Sequence, residues 1–246
     1  MIIASAQTSP QNKDINRNLY DHYRLIRLAA DNGANLIVFP EMSITGYVRE
    51  SAKKLSFTEN DSRLDKLREL AVDNKMIIIA GAPIIMDSGL YIGSFIIFPD
   101  NSISIYTKQF LHAGEEKFYA ASFDYNPIIK LDDERISLAI CADIDNPMHA
   151  EKANKANCTI YIASIFFTPK GMIEAYNLLS NYAKKYSMNV LISNYCRESW
   201  GLESGGKSAL WSKNGDLITG LDAKSTGLVI GQKNKDIWRG MIIKDK

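Results

Sequence analysis

The stretch "NLIVFPE" sets four apolar residues, Leu36 to Phe39, side by side with nothing polar between them. A strand with one wet face alternates apolar and polar residues, so a run of this kind belongs to a strand covered on both faces. Further apolar, β-prone runs follow in "KMIIIAGAPIIM", "RISLAI", "CTIYIAS" and "NVLISN". Between them lie stretches with helical spacing. Asn12 to Asn32 carries Ile15, Leu19, Tyr23, Ile26, Leu28 and Ala30, which predicts an amphipathic helix closed by Asn32-Gly33. Leu64 to Asn74, Asn146 to Ala156 and Gly171 to Ser187 predict three more. Strands alternating with helices require a layered α/β architecture. Between Met76 and Thr107, however, strands follow one another directly, with "GLYIGSFIIFP" and "SISIYTK" joined by the turn Pro99-Asp100-Asn101-Ser102, so the sheet is expected to be mixed. The segment from Ser51 to Asp61 reads as a polar loop. "KSALWSKNGDLITGL" and "STGLVIG" read as late strands, with a turn at Lys213-Asn214-Gly215. No repeat, low-complexity tract or linker interrupts the pattern, and a single domain over residues 1–246 is expected.

Lys and Arg total 29 against 28 Asp and Glu, which leaves no field to draw the chain to nucleic acid or to an anionic membrane. The expected partner is a small molecule. No apolar stretch is long enough to span a bilayer, and the opening "MIIASAQTSPQNKD" lacks the basic start and long apolar middle of a secretory signal, so a cytoplasmic location is expected. Cys141, Cys158 and Cys196 cannot all pair and have no metal-type spacing, and His22, His112 and His149 stand singly. Free thiols in a reducing compartment, with no metal and no cofactor, are expected.

Glu41, Lys108 and Cys141 each follow directly on an apolar strand. Strand carboxyl ends face the ligand crevice of open α/β sheets, so groups placed there converge even when distant in sequence. An acid, an ammonium and a thiol together suit acyl transfer from a carbon–nitrogen bond. The strand-to-turn-to-helix position is expected to lower the thiol pKa of Cys141 by offering it backbone N–H dipoles. Glu41 would take the thiol proton and pass it to the departing nitrogen, and Lys108 with the N–H of Ala142 would hold the oxyanion. Taken singly, each has an ordinary explanation: packing for the cysteine, a loop acid or N-cap for the glutamate, a solvated edge charge for the lysine. Their shared placement is what separates them from that background.

In order, "VFPEMSITGY", "YTKQFLHAGEEKFY" and "LAICADIDNP" resemble the three signature segments of the carbon–nitrogen hydrolase, or nitrilase, superfamily. The resemblance runs from "IIASAQTSP" to "GGKSALWSKNGDLI". It implies a four-layer α-β-β-α sandwich with mixed sheets and an amidase-like activity, in which a small amide, or else a nitrile or carbamoyl compound, is cleaved through a thioester. It maps a Glu-Lys-Cys triad onto Glu41, Lys108 and Cys141 and an oxyanion amide onto Ala142. A second active-site glutamate falls on Glu115, with Glu116 the alternative, since Ser122 stands where the family has glycine. The resemblance also implies a homodimer or higher homo-oligomer, formed through the helices "MHAEKANKAN" and "MIEAYNLLSNYAKKY" that flank the cysteine. A catalytically idle scaffold of the same fold is the rival reading, and an intact triad argues against it.

Relatives that cleave N-carbamoyl amino acids carry an arginine soon after the cysteine, where it grips a carboxylate. This chain has Asp143, Ile144, Asp145 and Asn146 there, so a substrate neutral or cationic near that wall is expected. Asp143 itself reads more readily as a buried acid tied to backbone amides. Tyr47, Phe166 and Trp200 are candidate substrate-binding aromatics, although ordinary core packing is the simpler reading for any one of them.

Overall fold

The computed structural model describes residues 1–86 and 88–245. The chain opens with β1 (Ile2–Gln7), α1 (Ile15–Asp31) and β2 (Leu36–Val38), then α2 (Ala52–Leu55) and α3 (Asp65–Asp73). Three strands follow, β3 (Ile77–Met86), β4 (Gly89–Ile97) and β5 (Ile103–Thr107). The second half holds β6 (Ile129–Leu131), β7 (Glu134–Ile140), α4 (Pro147–Lys155), β8 (Ile160–Ser164), α5 (Pro169–Tyr186) and β9 (Asn189–Ser193). It closes with β10 (Cys196–Ser199), β11 (Leu202–Gly205), β12 (Ala209–Trp211), β13 (Leu217–Gly220), β14 (Gly227–Asn234) and β15 (Ile237–Lys244). No helix among the described residues is long and apolar enough to cross a membrane.

One sheet runs β15-β14-β1-β2-β3-β4-β5 and the other β13-β12-β9-β8-β7-β6. Each has a parallel centre, β1-β2-β3 in the first and β7-β8-β9 in the second, flanked by antiparallel strands, so both sheets are mixed. The continuous apolar runs now have their reason. Leu36 and Val38 face one core and Ile37 another; Ile77 and Ile79 divide from Ile78 in the same way, and Ile160 and Ile162 from Tyr161. Strict two-residue parity sends the side chains of these central strands into two different apolar layers. One core lies between the sheets, a second beneath α1 and α3, and a third beneath α4 and α5. Three cores in series make four layers, α-β-β-α.

The helices start where local chemistry dictates. Asp14 accepts from Arg17 N at 3.0 Å, Asn146 from Met148 N at 3.1 Å and Thr168 from Gly171 N at 3.3 Å. Proline occupies the first turn of α4 and of α5, where its missing N–H costs nothing. The buried stripe of α1 is Leu19, His22, Leu25, Ile26 and Ala29 rather than the one predicted through Leu28 and Ala30.

Three regions differ from expectation. The loop between Ser51 and Asp61 begins with the short helix α2, and the polar segment after Tyr195 is a two-stranded hairpin, β10 and β11, with Trp200 at its turn. The sequence pattern predicts neither β6 nor β15; the exposed edge strand β15 carries a lysine and an arginine among its apolar residues and so shows no clean period.

Polar stitches hold the two sheets in register. Ser5 Oγ donates to Ile192 O at 2.5 Å, Ser193 Oγ to Ala6 O at 2.5 Å and Ser164 Oγ to Phe39 O at 2.8 Å. On the outer face, buried His22 stacks on Phe39 with centroids 4.0 Å apart. Its Nδ1 lies 2.7 Å from Asn18 O and its Nε2 2.9 Å from Ser43 Oγ, two residues past Glu41. A carbonyl on one side and a hydroxyl on the other fit a neutral ring. Burial lowers its pKa from 6.5 to about 4. Between those values the unfolded chain binds a proton that the folded chain refuses, so this contribution is intact above pH 6.5 and is lost as pH falls toward 4. Unfolding in urea across this window is expected to show a loss of about 3 kcal/mol that His22→Gln removes from the slope.

Candidate active site

The strand ends bearing Glu41, Lys108 and Cys141 belong to both sheets. Glu41 follows β2 and Lys108 follows β5 in one, while Cys141 follows β7 in the other. They meet across the seam between the two sheets, not in a crevice within either.

Lys108 is fully buried, and so are Glu41 and Glu115. Its Nζ donates to Glu41 Oε1 at 2.8 Å and to Glu115 Oε1 at 2.9 Å. Each glutamate is fixed from behind. The Glu41 carbonyl accepts from Tyr195 OH at 2.6 Å, and the backbone runs so close to Gly81 that a Cβ there would meet Met42 N at 2.5 Å. Glu115 sits in a 3-10 turn entered through Gly114 at φ 87°, accepts from Tyr47 OH at 2.5 Å and takes the N–H of His112 at 2.7 Å. Glu116, its sequence neighbour, is exposed and accepts from Gly114 N at 2.6 Å.

The two carboxylates differ in proton affinity. Burial raises the Glu41 carboxyl, against the pull of Lys108. Burial also opposes the charge on Glu115, but Lys108, Tyr47 and the His112 N–H outweigh it and hold that carboxyl below its ordinary value. Burial likewise works against the Lys108 ammonium, and the two carboxylates with Cys141 overcome it, so the lysine stays charged. A raised acid beside a lowered one is the arrangement that separates a proton carrier from a fixed anion.

Cys141 is 6% exposed and opens the 3-10 turn Cys141–Asp143 at φ 48°, a left-handed conformation that a side chain adopts only at a cost. Its sulfur contacts Phe166 O at 4.0 Å. The expected lowering of its thiol pKa is overturned: burial first, then the Glu41 charge, push it well above the ordinary value. The turn offers backbone dipoles, but removal from water and a facing carboxylate weigh more. Glu41 Oε2 is buried without a partner among the described residues, and the thiol and the Glu41 carboxylate shift each other's proton affinity.

Asp143 is a structural acid. Its Oδ1 accepts from Gln109 N at 2.9 Å and Phe110 N at 2.8 Å, and its Oδ2 from Ile140 N at 2.9 Å and Tyr106 OH at 2.6 Å. One carboxylate thereby ties the chain just past Lys108 to the residue just before Cys141, across the two sheets.

A cavity of about 440 Å³ opens on this cluster, with Glu41, Glu115 and Cys141 in its wall. All three candidate aromatics line it as well, and Tyr47 packs against Phe166 and Trp200 with centroids 5.2 Å and 5.5 Å apart. Ala142, 8% exposed, lines the neighbouring recess that it shares with His112 and Asp145. Arg49, Asp145 and Glu174 also border the main cavity. Arg49 gave no signal in the sequence; its Nε donates to Tyr47 OH at 2.8 Å and its guanidinium lies 4.5 Å from the Trp200 ring centre.

A buried lysine between two carboxylates is held only while all three charges are present. Lys108→Met is expected to cost about 3–5 kcal/mol in denaturant unfolding, part of it recovered when Glu115→Gln removes one orphaned acid. The exposed Lys54→Met should change stability by no more than about 0.5 kcal/mol.

Comparison with known proteins gives the same direction from an independent source. The model of the family described as carbon-nitrogen hydrolase matches residues 2–240. A nitrilase of Pyrococcus abyssi is 24% identical over 226 residues, 88% of this chain and 83% of that protein. A glutamine-dependent NAD(+) synthetase of Thermotoga maritima is 27% identical over 151 residues, 59% of this chain, and the match spans only 26% of that longer protein. Among solved structures, the NitN amidase of Nesterenkonia sp. AN1 superposes with a TM-score of 0.86 at 20% identity, covering 96% of this chain and 93% of that one. Another structure of that amidase shows covalent addition of the acetamide moiety of fluoroacetamide at the active site cysteine.

Proposed function

The chain belongs to the carbon–nitrogen hydrolase family and is a carbon–nitrogen hydrolase, and from that premise we propose that it cleaves a small carboxamide to a carboxylic acid and ammonia through a thioester on Cys141. The observation that carries this reading is the buried Lys108, bridged to Glu41 and Glu115 beside a cysteine in the wall of one cavity.

In the proposed reaction the free Oε2 of Glu41 takes the thiol proton as Sγ attacks the amide carbon. A thiol with a raised pKa has little thiolate at rest, so proton removal and attack proceed together, which is the work of a general base with elevated proton affinity. The oxyanion is met by the Ala142 N–H and by the Lys108 ammonium; one such donor contributes roughly a hundredfold to a thousandfold in rate. Glu41 then gives its proton to the nitrogen, the carbon–nitrogen bond breaks, and ammonia leaves behind a thioester. Water attacks the thioester, its proton goes to Glu41, and collapse returns the acid and the thiol. Glu115 stays ionised throughout and keeps Lys108 in place. Tyr47, Phe166 and Trp200 form the apolar wall that the acyl chain would pack on.

A nitrile or an N-carbamoyl group can enter the same sequence. The likeness to the Pyrococcus abyssi nitrilase favours including nitriles in any test. We also propose a homodimer through α4 and α5, whose outer faces leave Met148 47% and Ile173 65% exposed.

The reading is tested by ammonia release across amides, nitriles and carbamoyl compounds, with parent and Cys141→Ala compared. A fall of about a thousandfold or more in the variant is expected, together with an acyl mass on the Cys141 peptide of the parent. Turnover undiminished in the variant, or none anywhere in the panel, would leave the scaffold reading standing.

A further inference from the structure

One buried polar network reaches the site from α4. Its centre is His149, which stands alone in the sequence and is buried in the fold against Tyr106 of β5, Tyr161 of β8 and Gln109. His149 Nδ1 lies 2.8 Å from Tyr161 OH and Nε2 lies 2.9 Å from Tyr106 OH. Tyr106 OH is in turn 2.6 Å from Asp143 Oδ2. An apolar side chain would fill the same space, but a neutral imidazole offers a donor to one hydroxyl and an acceptor to the other.

The acid end sets the direction of every bond. Asp143 already accepts the N–H groups of Gln109, Phe110 and Ile140, so the Tyr106 hydroxyl gives it its single proton. The Tyr106 oxygen is then left to accept from His149, which puts the ring proton on Nε2 and leaves Nδ1 to accept from Tyr161 OH. The Gln109 side chain agrees with this assignment. Its Nε2 is 3.4 Å from Tyr106 OH and 3.3 Å from His149 Nε2, the spacing of two donors that meet at one oxygen. Burial lowers the proton affinity of the His149 ring, with Lys152 of the same helix and against the pull of Asp143, which favours the neutral form that the pattern requires. The protons thus point one way, from Tyr161 through His149 and Tyr106 to a carboxylate whose other bonds hold the backbone beside Lys108 and Cys141. The opposite tautomer would set a lone pair at Nε2, in competition with Asp143 for the Tyr106 proton.

We propose that His149 is a positioning residue for the reaction: its Nε2–H fixes the Tyr106 hydroxyl on Asp143 and so holds the Cys141–Asp143 turn, with the Ala142 N–H, in place against Lys108. The kinetic arm of its test rests on the hydrolase reading above, and a second arm does not. A glutamine at 149 can set an amide N–H near the Nε2 position, whereas an asparagine reaches only as far as Nδ1. With butyramide as the probe amide, His149→Asn is expected to lower kcat by about tenfold to a hundredfold while KM stays within about threefold. His149→Gln should recover most of that loss. Tyr106→Phe should match His149→Asn, and combining the two should cost little more, since both break one path. The second arm is amide hydrogen exchange: the Gln109, Phe110 and Ile140 N–H groups are expected to exchange about tenfold faster in His149→Asn, while Ile37 and Ile78 in the central strands β2 and β3 keep the parent rate. Tyr161→Phe, which deletes only the hydroxyl that selects the tautomer, should speed the same three amides by a smaller factor. Equal acceleration at all five amides would make His149 a packing residue and overturn the proposal. So would unchanged exchange at the three, or a glutamine variant no better than the asparagine one. If Cys141→Ala kept full turnover the hydrolase reading would fall, and exchange at the three amides would still decide whether His149 holds the turn.

Discussion

An ammonium with no access to water is the constraint from which the rest of this structure follows. Moving a lysine charge into a protein interior costs several kcal/mol even after relaxation, and only close, well-aligned opposite charge offsets it. Here two carboxylates at 2.8 Å and 2.9 Å do so, each with its own support. The result is stiff by necessity. Rotating Lys108, Glu41 or Glu115 away would leave a charge buried alone, so the three side chains have one arrangement they can hold. The net negative charge of the trio extends outward through Tyr47 to Arg49, which is partly solvated and neutralises it without entering the core.

Such a trio makes demands on the backbone that a single sheet could not meet. The acid and the lysine come from one sheet and the sulfur from the other, so their spacing depends on the register between two independently hydrogen-bonded layers. Hydrocarbon packing alone tolerates small sliding, whereas directional bonds do not. That explains why serines sit in the otherwise apolar seam, donating to carbonyls of the opposite sheet, and why Asp143 spends all its accepting capacity on backbone amides beside Lys108 and Cys141 and on Tyr106. Left-handed φ values at Met42, immediately after Glu41, and at Cys141 cost on the order of 1–2 kcal/mol each. They turn the chain sharply at a strand end so that the side chain faces the seam and not the next rung of the sheet.

Most of this architecture was legible because strand parity and strand ends are written in residue type. Leu36 to Phe39 can be apolar throughout only if both faces are covered, which already implies layers outside the sheet. Glu41, Lys108 and Cys141 stood out because each interrupts hydrocarbon at the end of such a run. What stayed hidden depends on through-space electrostatics and on edges. Nothing local to Cys141 announces that Glu41, a hundred residues earlier, faces it, so backbone dipoles suggested a lowered thiol pKa where desolvation and that carboxylate raise it. Arg49 was invisible for the same reason: its partners are Tyr47, Ala113 and Trp200, and only the fold makes them neighbours. Edge strands such as β15 and the β10–β11 hairpin are solvated on one side, so their composition resembles that of loops.

The direction of the thiol's shift bears on how such a site can be both reactive and safe. A thiolate stabilised at rest is nucleophilic toward any passing electrophile, and it loses intrinsic nucleophilicity as its pKa falls. A thiol with a raised pKa beside a carboxylate with raised proton affinity stores the proton within the pair and releases the sulfur only as a bond to carbon forms. In the proposed chemistry the charge then moves from Glu41 toward the developing oxyanion, where Lys108 already sits, already paired and already desolvated. Little reorganisation is needed at that moment because the fold met the electrostatic cost when it buried the lysine. Stability surrendered to hold an ammonium in the dark is what would make that ammonium useful when negative charge appears on the substrate.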